Sequence, residues 1–302
     1  MRILLFLIVV SAGYSALASG TNSVSVALST GVSQAGGRLR YEIGSFKDGS
    51  APISRLTWPM NTTLVSGEAC ISSSAVEGRL QIGRNLTENS GVIEDVDYDG
   101  SDDREAIRSE SQAGLTLWNA DLSLLYRVFP RGKASTWSVG AGAGYAYRNM
   151  NWEASDLHQW TPSSPGIPDV YNSGLVATYE ASLHMPYLQL VGRCSKPSWS
   201  LEGRLGYSPY FVIEDRDNHI LRGILSETWA EGDGFRLEIQ GQWHITGQWS
   251  LIAGVSGLDL YAAGSQHSRL YGSDISGVAW SEDKRIWVSE VEAQLSILYL
   301  LP

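Results

Sequence analysis

The fold is decided by residues 76–83, VEGRLQIG, in which apolar and polar side chains alternate without a break. Successive side chains of an extended strand point to opposite faces, so this segment has one apolar face and one charged face. The same two-residue period recurs in residues 24–32, 65–72, 137–147 and 249–255, and near the end of the chain. Alternation along the whole chain predicts an all-β protein with antiparallel strands.

Charged residues inside these strands discriminate between two all-β architectures. Five of them interrupt otherwise strong strands: Glu68, Glu77, Arg79, Glu290 and Glu292. A soluble sandwich would turn them to solvent, whereas a transmembrane barrel turns them to a polar lumen and its apolar face to lipid. Tight turns, such as residues 72–75 and 195–198, also alternate with five long polar segments. We therefore predict an antiparallel transmembrane β-barrel of about ten strands with long extracellular loops.

The start of the chain resembles a targeting signal. Met1 and Arg2 precede an unbroken apolar run at residues 3–10, and small residues follow up to Ala18. Because that run is too short to cross a bilayer, it predicts a cleaved secretory signal peptide at residues 1–18. The barrel domain would then comprise residues 19–302.

Composition excludes several classes of function. The chain has 32 Asp and Glu against 22 Lys and Arg, which argues against nucleic acid as a partner. The five histidines are dispersed and have no zinc-like spacing, so we expect no metal and no cofactor. Only Cys70 and Cys194 are present, and the sequence leaves open whether they form a disulfide.

Two distant segments carry candidate acid/base residues: Asp95 with Asp97, and Asp217 with His219. Both segments fall at the loop-bearing end of the predicted strands. Residues two apart on an extended chain share a face, so each pair can present its side chains to one cleft. A carboxylate beside an imidazole stabilises the protonated ring, and a second carboxylate pair can position water. The arrangement predicts peptide hydrolysis by activated water.

Two plainer interpretations of these segments stay open. Acidic loops are common on secreted proteins, and solvation alone would explain them. Residues 95–100, DVDYDG, also match the opening of a calcium-binding loop, with oxygen ligands at alternate positions and glycine at the turn. The closing glutamate of such a loop would fall at position 106, which is Ala106.

Four short motifs together resemble those of the omptins, the aspartyl proteases of the Gram-negative outer membrane. They are residues 56–58 (LTW), 94–98 (EDVDY), 185–187 (MPY) and 215–219 (DRDNH). The resemblance covers nearly all of the chain after the signal peptide. It implies a ten-stranded barrel that extends beyond the outer leaflet, with the active groove facing the cell exterior and peptides or proteins as substrates.

The resemblance also implies roles for individual residues. Asp95 and Asp97 form the carboxylate couple, and Asp217 with His219 forms the couple that polarises a water molecule between them. Asp215 matches an acidic position in the pocket for the residue before the scissile bond. The second acidic position of that pocket aligns with Gly37 or its neighbour, neither of which is a carboxylate, so the preferred substrate residue is left open.

Lipopolysaccharide is a further partner that the resemblance implies. Tyr145 is retained in that binding pattern, and Arg148 is the nearby basic candidate because Asn149 and Ser182 occupy the expected basic positions. Two other functions remain as alternatives. One is a catalytically silent barrel that acts as an adhesin or structural surface protein, and the other is a porin, for which a ten-stranded lumen is narrow and crowded.

One detail of the strand pattern conflicts with a groove position for the acid/base residues. Asp215, Asp217 and His219 are odd-numbered, like Leu205 and Tyr207, whose side chains would face lipid. Regular alternation would therefore turn the acid/base residues to lipid as well. We expect either a bulge near Pro209 that reverses the parity, or a strand that has already left the membrane there.

Overall fold

The computed structural model describes residues 24–44, 46, 52–99, 104–129, 137–271 and 278–302. The predicted signal peptide, residues 1–18, lies outside the described residues. The twelve strand segments are β1 (Ser25–Gly44), β2 (Ser54–Pro59), β3 (Thr62–Ser72), β4 (Val76–Asn85), β5 (Asn89–Asp99), β6 (Arg104–Phe129), β7 (Trp137–Trp160), β8 (Val170–Ser195), β9 (Trp199–His219), β10 (Ile224–His244), β11 (Trp249–Leu270) and β12 (Ala279–Leu300). A 3-10 turn, Ile220–Arg222, joins β9 to β10. Within the described ranges, no helix is long and apolar enough to cross a membrane.

The strands form one closed antiparallel barrel. The first and last strands, β1 and β12, pair over eighteen residues and close the ring. The short strands β2 and β3 lie end to end beside β1, and β4 and β5 lie end to end beside β6. Ten strands therefore surround the barrel axis at either end, which confirms the predicted architecture.

The barrel has a turn half and a loop half, named after the connections at each end. The turn half ends in tight turns such as residues 195–198, and the loop half ends in connections such as residues 161–169. The outer wall of the turn half is apolar, with exposed side chains that include Leu201, Leu205 and Ile239. Aromatic residues border this band on both sides, for example Trp199, Trp243, Tyr207 and Phe235. Such a band is the lipid-facing surface of an outer-membrane barrel.

Ion pairs fill the interior of the turn half. Glu77 accepts hydrogen bonds from Arg127 (2.7 Å), Arg193 (3.1 Å) and Arg204 (3.0 Å), so one buried carboxylate links three strands. Arg79 lies 3.4 Å from both Glu68 and Glu238. The charged residues that interrupt the apolar strands therefore face the lumen, as the sequence predicts, and Glu68, Glu77 and Arg79 are paired there.

The interior of the loop half is instead aromatic and apolar. Trp58 stacks on Tyr179 with ring centroids 4.8 Å apart, and Trp152 packs against both rings. The indole nitrogen of Trp152 donates a hydrogen bond to the carbonyl of Pro59 (2.8 Å), so its polar group is satisfied. Other fully buried side chains of this layer are Leu39, Tyr41, Met60, Leu115, Leu117, Met150, Phe211 and Ile213. This layer forms the floor of the groove described below.

A bulge in β9 reverses the direction of its side chains. Between the pairs Leu188–Tyr207 and His184–Val212, β9 advances five residues where β8 advances four. The same extra residue appears against β10, between Ser208 and Phe211. Inward positions are even-numbered up to Ser208 and odd-numbered from Phe211 onward. The expected bulge near Pro209 is confirmed, and it turns Asp215, Asp217 and His219 to the inside.

The two cysteines lie in the barrel wall on different strands. Cys70 belongs to β3 and Cys194 to β8, and three strands separate these two in the sheet. Both thiols are free. The disulfide that the sequence leaves open is therefore not formed, and the described barrel is held by strand pairing and packing.

Candidate active site

The four predicted acid/base residues lie at the loop end, inside the barrel. Asp95 and Asp97 are on β5, where Asp95 pairs with Leu56 of β2. Asp217 and His219 are the last inward residues of β9. Asp95 and His219 line the same cleft, which has a volume of about 220 Å³ and lies between the two walls. The structure thus brings the two distant segments to one groove.

Asp217 and His219 form a buried pair. The Nε2 atom of His219 lies 3.2 Å from Oδ2 of Asp217, and the hydroxyl of Tyr41 donates a hydrogen bond to the same oxygen. Burial alone would raise the pKa of Asp217, but its attraction to His219 and these hydrogen bonds outweigh burial and lower it. The charge of Asp217 in turn raises the pKa of His219. The imidazole is therefore held in one orientation and favours its protonated form.

Asp95 has the opposite electrostatic environment. Burial, followed by repulsion from Asp97, raises the pKa of Asp95 to about 6. His219 and Arg222 counteract this rise, and Nη2 of Arg222 lies 3.9 Å from an oxygen of each aspartate. The hydroxyl of Ser54 donates a weak hydrogen bond to Asp95 (3.3 Å). The pKa of Asp95 is thus raised to about 6 and that of His219 is raised above its ordinary value, and groups perturbed in this way within a cleft suit proton exchange with a substrate.

The rest of the cleft is mainly apolar. Its apolar lining comes from both walls and from the tip of the β9–β10 hairpin: Leu56, Trp58, Ile93, Ala154, Leu157, Val170, Val176, Ala177 and Leu221. The charged lining residues are Asp95, His219 and Arg222. Apolar walls around a few convergent charged groups are typical of a substrate cleft. Residues 95–99 belong to strand β5, and in the described part of the chain no cluster of ligands could hold a metal ion.

Asp215, the predicted pocket residue, lies beneath this cleft and does not line it. Its side chain is fully buried against that of Lys284, with 2.9 Å between Oδ1 and Nζ. The hydroxyl of Tyr179 donates a hydrogen bond to the other carboxylate oxygen (3.1 Å), and Lys284 also donates to Thr228 (3.2 Å). Asp215 therefore already has a counter-ion within the protein.

A sequence profile of the Omptin family matches residues 20–264, which is most of the chain. The chain belongs to the omptin family. The resemblance carried by the four short motifs is thereby confirmed. Omptins are outer-membrane proteases, so the barrel belongs to the outer membrane of a Gram-negative bacterium and peptides or proteins are its class of substrate.

Solved structures agree with this assignment at the level of the fold. The crystal structure of the outer membrane protease OmpT from Escherichia coli superposes with a TM-score of 0.83 at 14% identity, covering 92% of this omptin and 97% of OmpT. The outer membrane protein OprG from Pseudomonas aeruginosa covers 93% of this chain and 98% of its own, at 10% identity, but its TM-score of 0.42 is too low to support an argument. A search of curated protein sequences finds no match.

The two candidate lipid contacts of this omptin lie on opposite faces of β7. Tyr145 is exposed on the outer wall, where its hydroxyl lies 2.7 Å from Nδ1 of His184. Arg148 instead points into the barrel, and both of its terminal nitrogens donate to Glu290 (2.7 and 3.0 Å). The reason is strand parity, since residues three apart face opposite sides. An outer-wall lipid contact by Arg148 is therefore not compatible with this structure.

Sequence reasoning missed Tyr41, Arg222 and Lys284. Lys284 lies in the charged run at residues 282–285, EDKR, which resembles a solvated strand end. Strand alternation could have identified it, because Lys284 is even-numbered like Ile286, Val288 and Glu290, whose side chains point inward. Tyr41 and Arg222 had no comparable signal, since their importance depends on which residues lie across the barrel.

Proposed function

We propose that this omptin is an aspartic-type endopeptidase that cleaves exposed peptides or proteins with a water molecule held between Asp95 and His219. The loop half faces the cell exterior in this proposal, so the groove is open to substrates there. The observation that carries it is the single cleft lined by Asp95 of one wall and His219 of the other. Neither residue needs a cofactor for this chemistry.

The proposed reaction transfers two protons, one to Asp95 on one wall and one from His219 on the other. The Asp95 carboxylate accepts a proton from water as the water oxygen bonds to the peptide carbonyl carbon. The imidazolium of His219 gives its proton to the leaving nitrogen as the carbon–nitrogen bond breaks. Asp217 and Tyr41 keep the ring oriented and its charge stabilised, and Asp97 supports Asp95 by raising its pKa.

A bell-shaped pH dependence follows from these roles. The pKa of Asp95 is about 6, so activity should fall as the pH drops below that value and the carboxylate is protonated. The pKa of His219 is raised above its usual 6.5, so activity should fall again when the pH rises through the raised value and the ring loses its proton. We expect maximal cleavage near neutral pH.

The direct test is peptide cleavage by Asp95→Asn and His219→Ala variants. Loss of either acid/base group should reduce turnover by about 10²- to 10⁴-fold. Asp99→Asn is the matched control, because Asp99 lies on the same strand but is exposed and pairs with Arg104. All variants should migrate as folded, heat-modifiable barrels in gels. Normal turnover in either site variant would refute the mechanism.

A catalytically silent surface barrel is the second candidate. It is favoured by Asp215, whose charge is already neutralised by Lys284, and by the inward direction of Arg148. A panel of fluorogenic peptides that varies the residue before the scissile bond separates the two functions. Assays with and without lipopolysaccharide also test the proposed lipid contact at Tyr145. Absence of cleavage of every peptide in both conditions would favour the silent barrel.

A further inference from the structure

Lys284 is a buried lysine directly beneath the acid/base residues. It reaches from β12 to Asp215, and its Nζ atom lies 3.8 Å from the ring centroid of Tyr41. Tyr41 in turn donates its hydroxyl hydrogen to Asp217. Burial of a charged lysine costs free energy unless the lysine is paired, so a lysine at this location requires a counter-ion.

The chain of contacts runs from Lys284 to the proposed proton donor. Lys284 pairs with Asp215 and covers the face of Tyr41, Tyr41 binds Asp217, and Asp217 binds His219. Lys284 lies on β12 and Tyr41 on the adjacent strand β1, whereas Asp215, Asp217 and His219 lie on β9 across the barrel. Oδ1 of Asp217 is buried and has no hydrogen-bond partner among the described residues. Nearby positive charge, including that of Lys284, therefore helps to keep Asp217 ionised.

Several other charged or titratable groups face this level of the barrel. Tyr179 of β8 donates to Asp215, and the carboxylates of Asp95 and Asp97 lie across the groove. Arg222 lies at the tip of the β9–β10 hairpin. Without Lys284, the site would contain a fourth carboxylate, Asp215, two residues from Asp217 and with no counter-ion.

We infer that Lys284 is a positioning residue of the proposed peptidase: it neutralises Asp215 and supports Tyr41, so that Asp217 and His219 act as an isolated pair. This inference rests on the proposed function for its catalytic meaning. It also has an electrostatic consequence that can be measured without substrate.

The consequence is a pair of opposite shifts in the titration of His219. In Lys284→Met, the unpaired negative charge of Asp215 should favour the protonated ring and raise the pKa of His219. In Asp215→Asn, the unpaired positive charge of Lys284 should disfavour the protonated ring and lower that pKa. Each shift should be about half a pH unit or more, and the Lys284→Met/Asp215→Asn double variant should return close to wild type.

The experiment follows the ring protons of His219 by NMR as a function of pH in the full barrel in detergent micelles. A His219→Gln variant assigns the signal among the five histidines. Lys196→Met is the matched control, because that lysine is exposed in a turn at the other end of the barrel. Cleavage of a reporter peptide by the same variants should show kcat falling at least tenfold in Lys284→Met, with KM little changed and the alkaline limb moved to higher pH.

The outcomes distinguish this inference from the proposed function. Absence of cleavage by the wild-type barrel contradicts the proposed function, whatever the NMR titrations show. Shifts in the same direction in both single variants, or in neither, overturn the role of Lys284, because two opposite charges that act on His219 must shift its titration with opposite signs. If Lys284→Met fails to fold, the Asp215→Asn and double variants still give the sign of the shift.

Discussion

In the turn half of the barrel, ion pairs fill the interior and apolar side chains cover the outer wall. In the loop half, the interior is a layer of stacked aromatic rings, and the outer wall carries charged residues such as Glu214, Arg216 and Glu227. The same strands run through both halves, so secondary structure does not distinguish them. The surrounding medium does, because lipid excludes charge from one outer wall and water accepts it on the other.

The comparison explains why the acid/base residues lie where they do. The ion pairs of the turn half neutralise one another and hold their charged groups in fixed contacts. In the loop half, a few carboxylates lie on an apolar floor, and burial there raises the pKa of Asp95 to about 6. Stability in the lipid bilayer and the proposed proton transfer therefore depend on different halves of one barrel.

The largest effect is expected from Glu77→Gln in the turn half. This change removes the negative charge that accepts hydrogen bonds from three arginines, and it should lower the free energy of unfolding by about 3 to 5 kcal/mol. Denaturant unfolding in micelles measures the loss. The exposed Glu231→Gln in the loop half is the control and should change stability little. Equal losses in both variants would contradict the distinction between the halves.

A matched pair on β10 tests the outer walls. Ile239→Arg puts a charge in the apolar band and should destabilise the barrel by about 2 to 4 kcal/mol, whereas Trp229→Arg in the loop half should cost less than about 1 kcal/mol. The two side chains are similarly exposed and lie on the same face of one strand. Folding yield into lipid vesicles measures the difference, and equal yields would place the membrane boundary elsewhere.

Tyr41→Phe tests the interior of the loop half. Loss of the hydroxyl that binds Asp217 should reduce kcat by about 10- to 100-fold, because this hydrogen bond stabilises a buried charge. The free energy of unfolding of the turn half should be unchanged. Tyr261→Phe on the outer wall serves as the control. A Tyr41→Phe variant with full activity would show that Asp217 does not depend on this contact.

The smallest effect is expected from Arg222→Ala. Arg222 lowers the pKa of both Asp95 and His219, so its removal should raise both values. The two limbs of the pH–rate profile should then move to higher pH by about half a unit, a modest shift because this side chain is partly exposed. Arg104→Ala, in an exposed pair on a nearby hairpin, should leave both limbs in place.

Much of the fold could be predicted because each half of the barrel has its own local pattern of apolar and charged residues in the sequence. Glu77 and Arg79 between apolar neighbours indicate a charged lumen, and the bulge near Pro209 was expected from a parity conflict alone. The broken strands β2 and β3 could not be predicted, because a break at Met60 changes pairing without changing alternation. Arg148 faces inward although it lies near Tyr145 in sequence, because residues three apart on a strand face opposite sides.

The site could be predicted less completely, because its charges are balanced across the barrel. The spacing of Asp217 and His219 predicts that they share a face, which holds within one strand. Lys284 and Tyr41 reach the same level from strands at the two ends of the chain, and only the closure of β1 on β12 brings them together. No local pattern reports which residue will neutralise Asp215.

The extra residue in β9 also has a genetic consequence. Because the bulge is one residue long, an in-frame loss of one codon between those for Tyr207 and Val212 would leave a regular strand in which Asp217 and His219 still point inward. An in-frame loss of one codon between those for Ile213 and Asp217 has no extra residue to absorb it, so both side chains would turn to the outer wall while the lipid-facing surface stayed as it is. Tolerance of a lost codon therefore differs between two sites only a few residues apart.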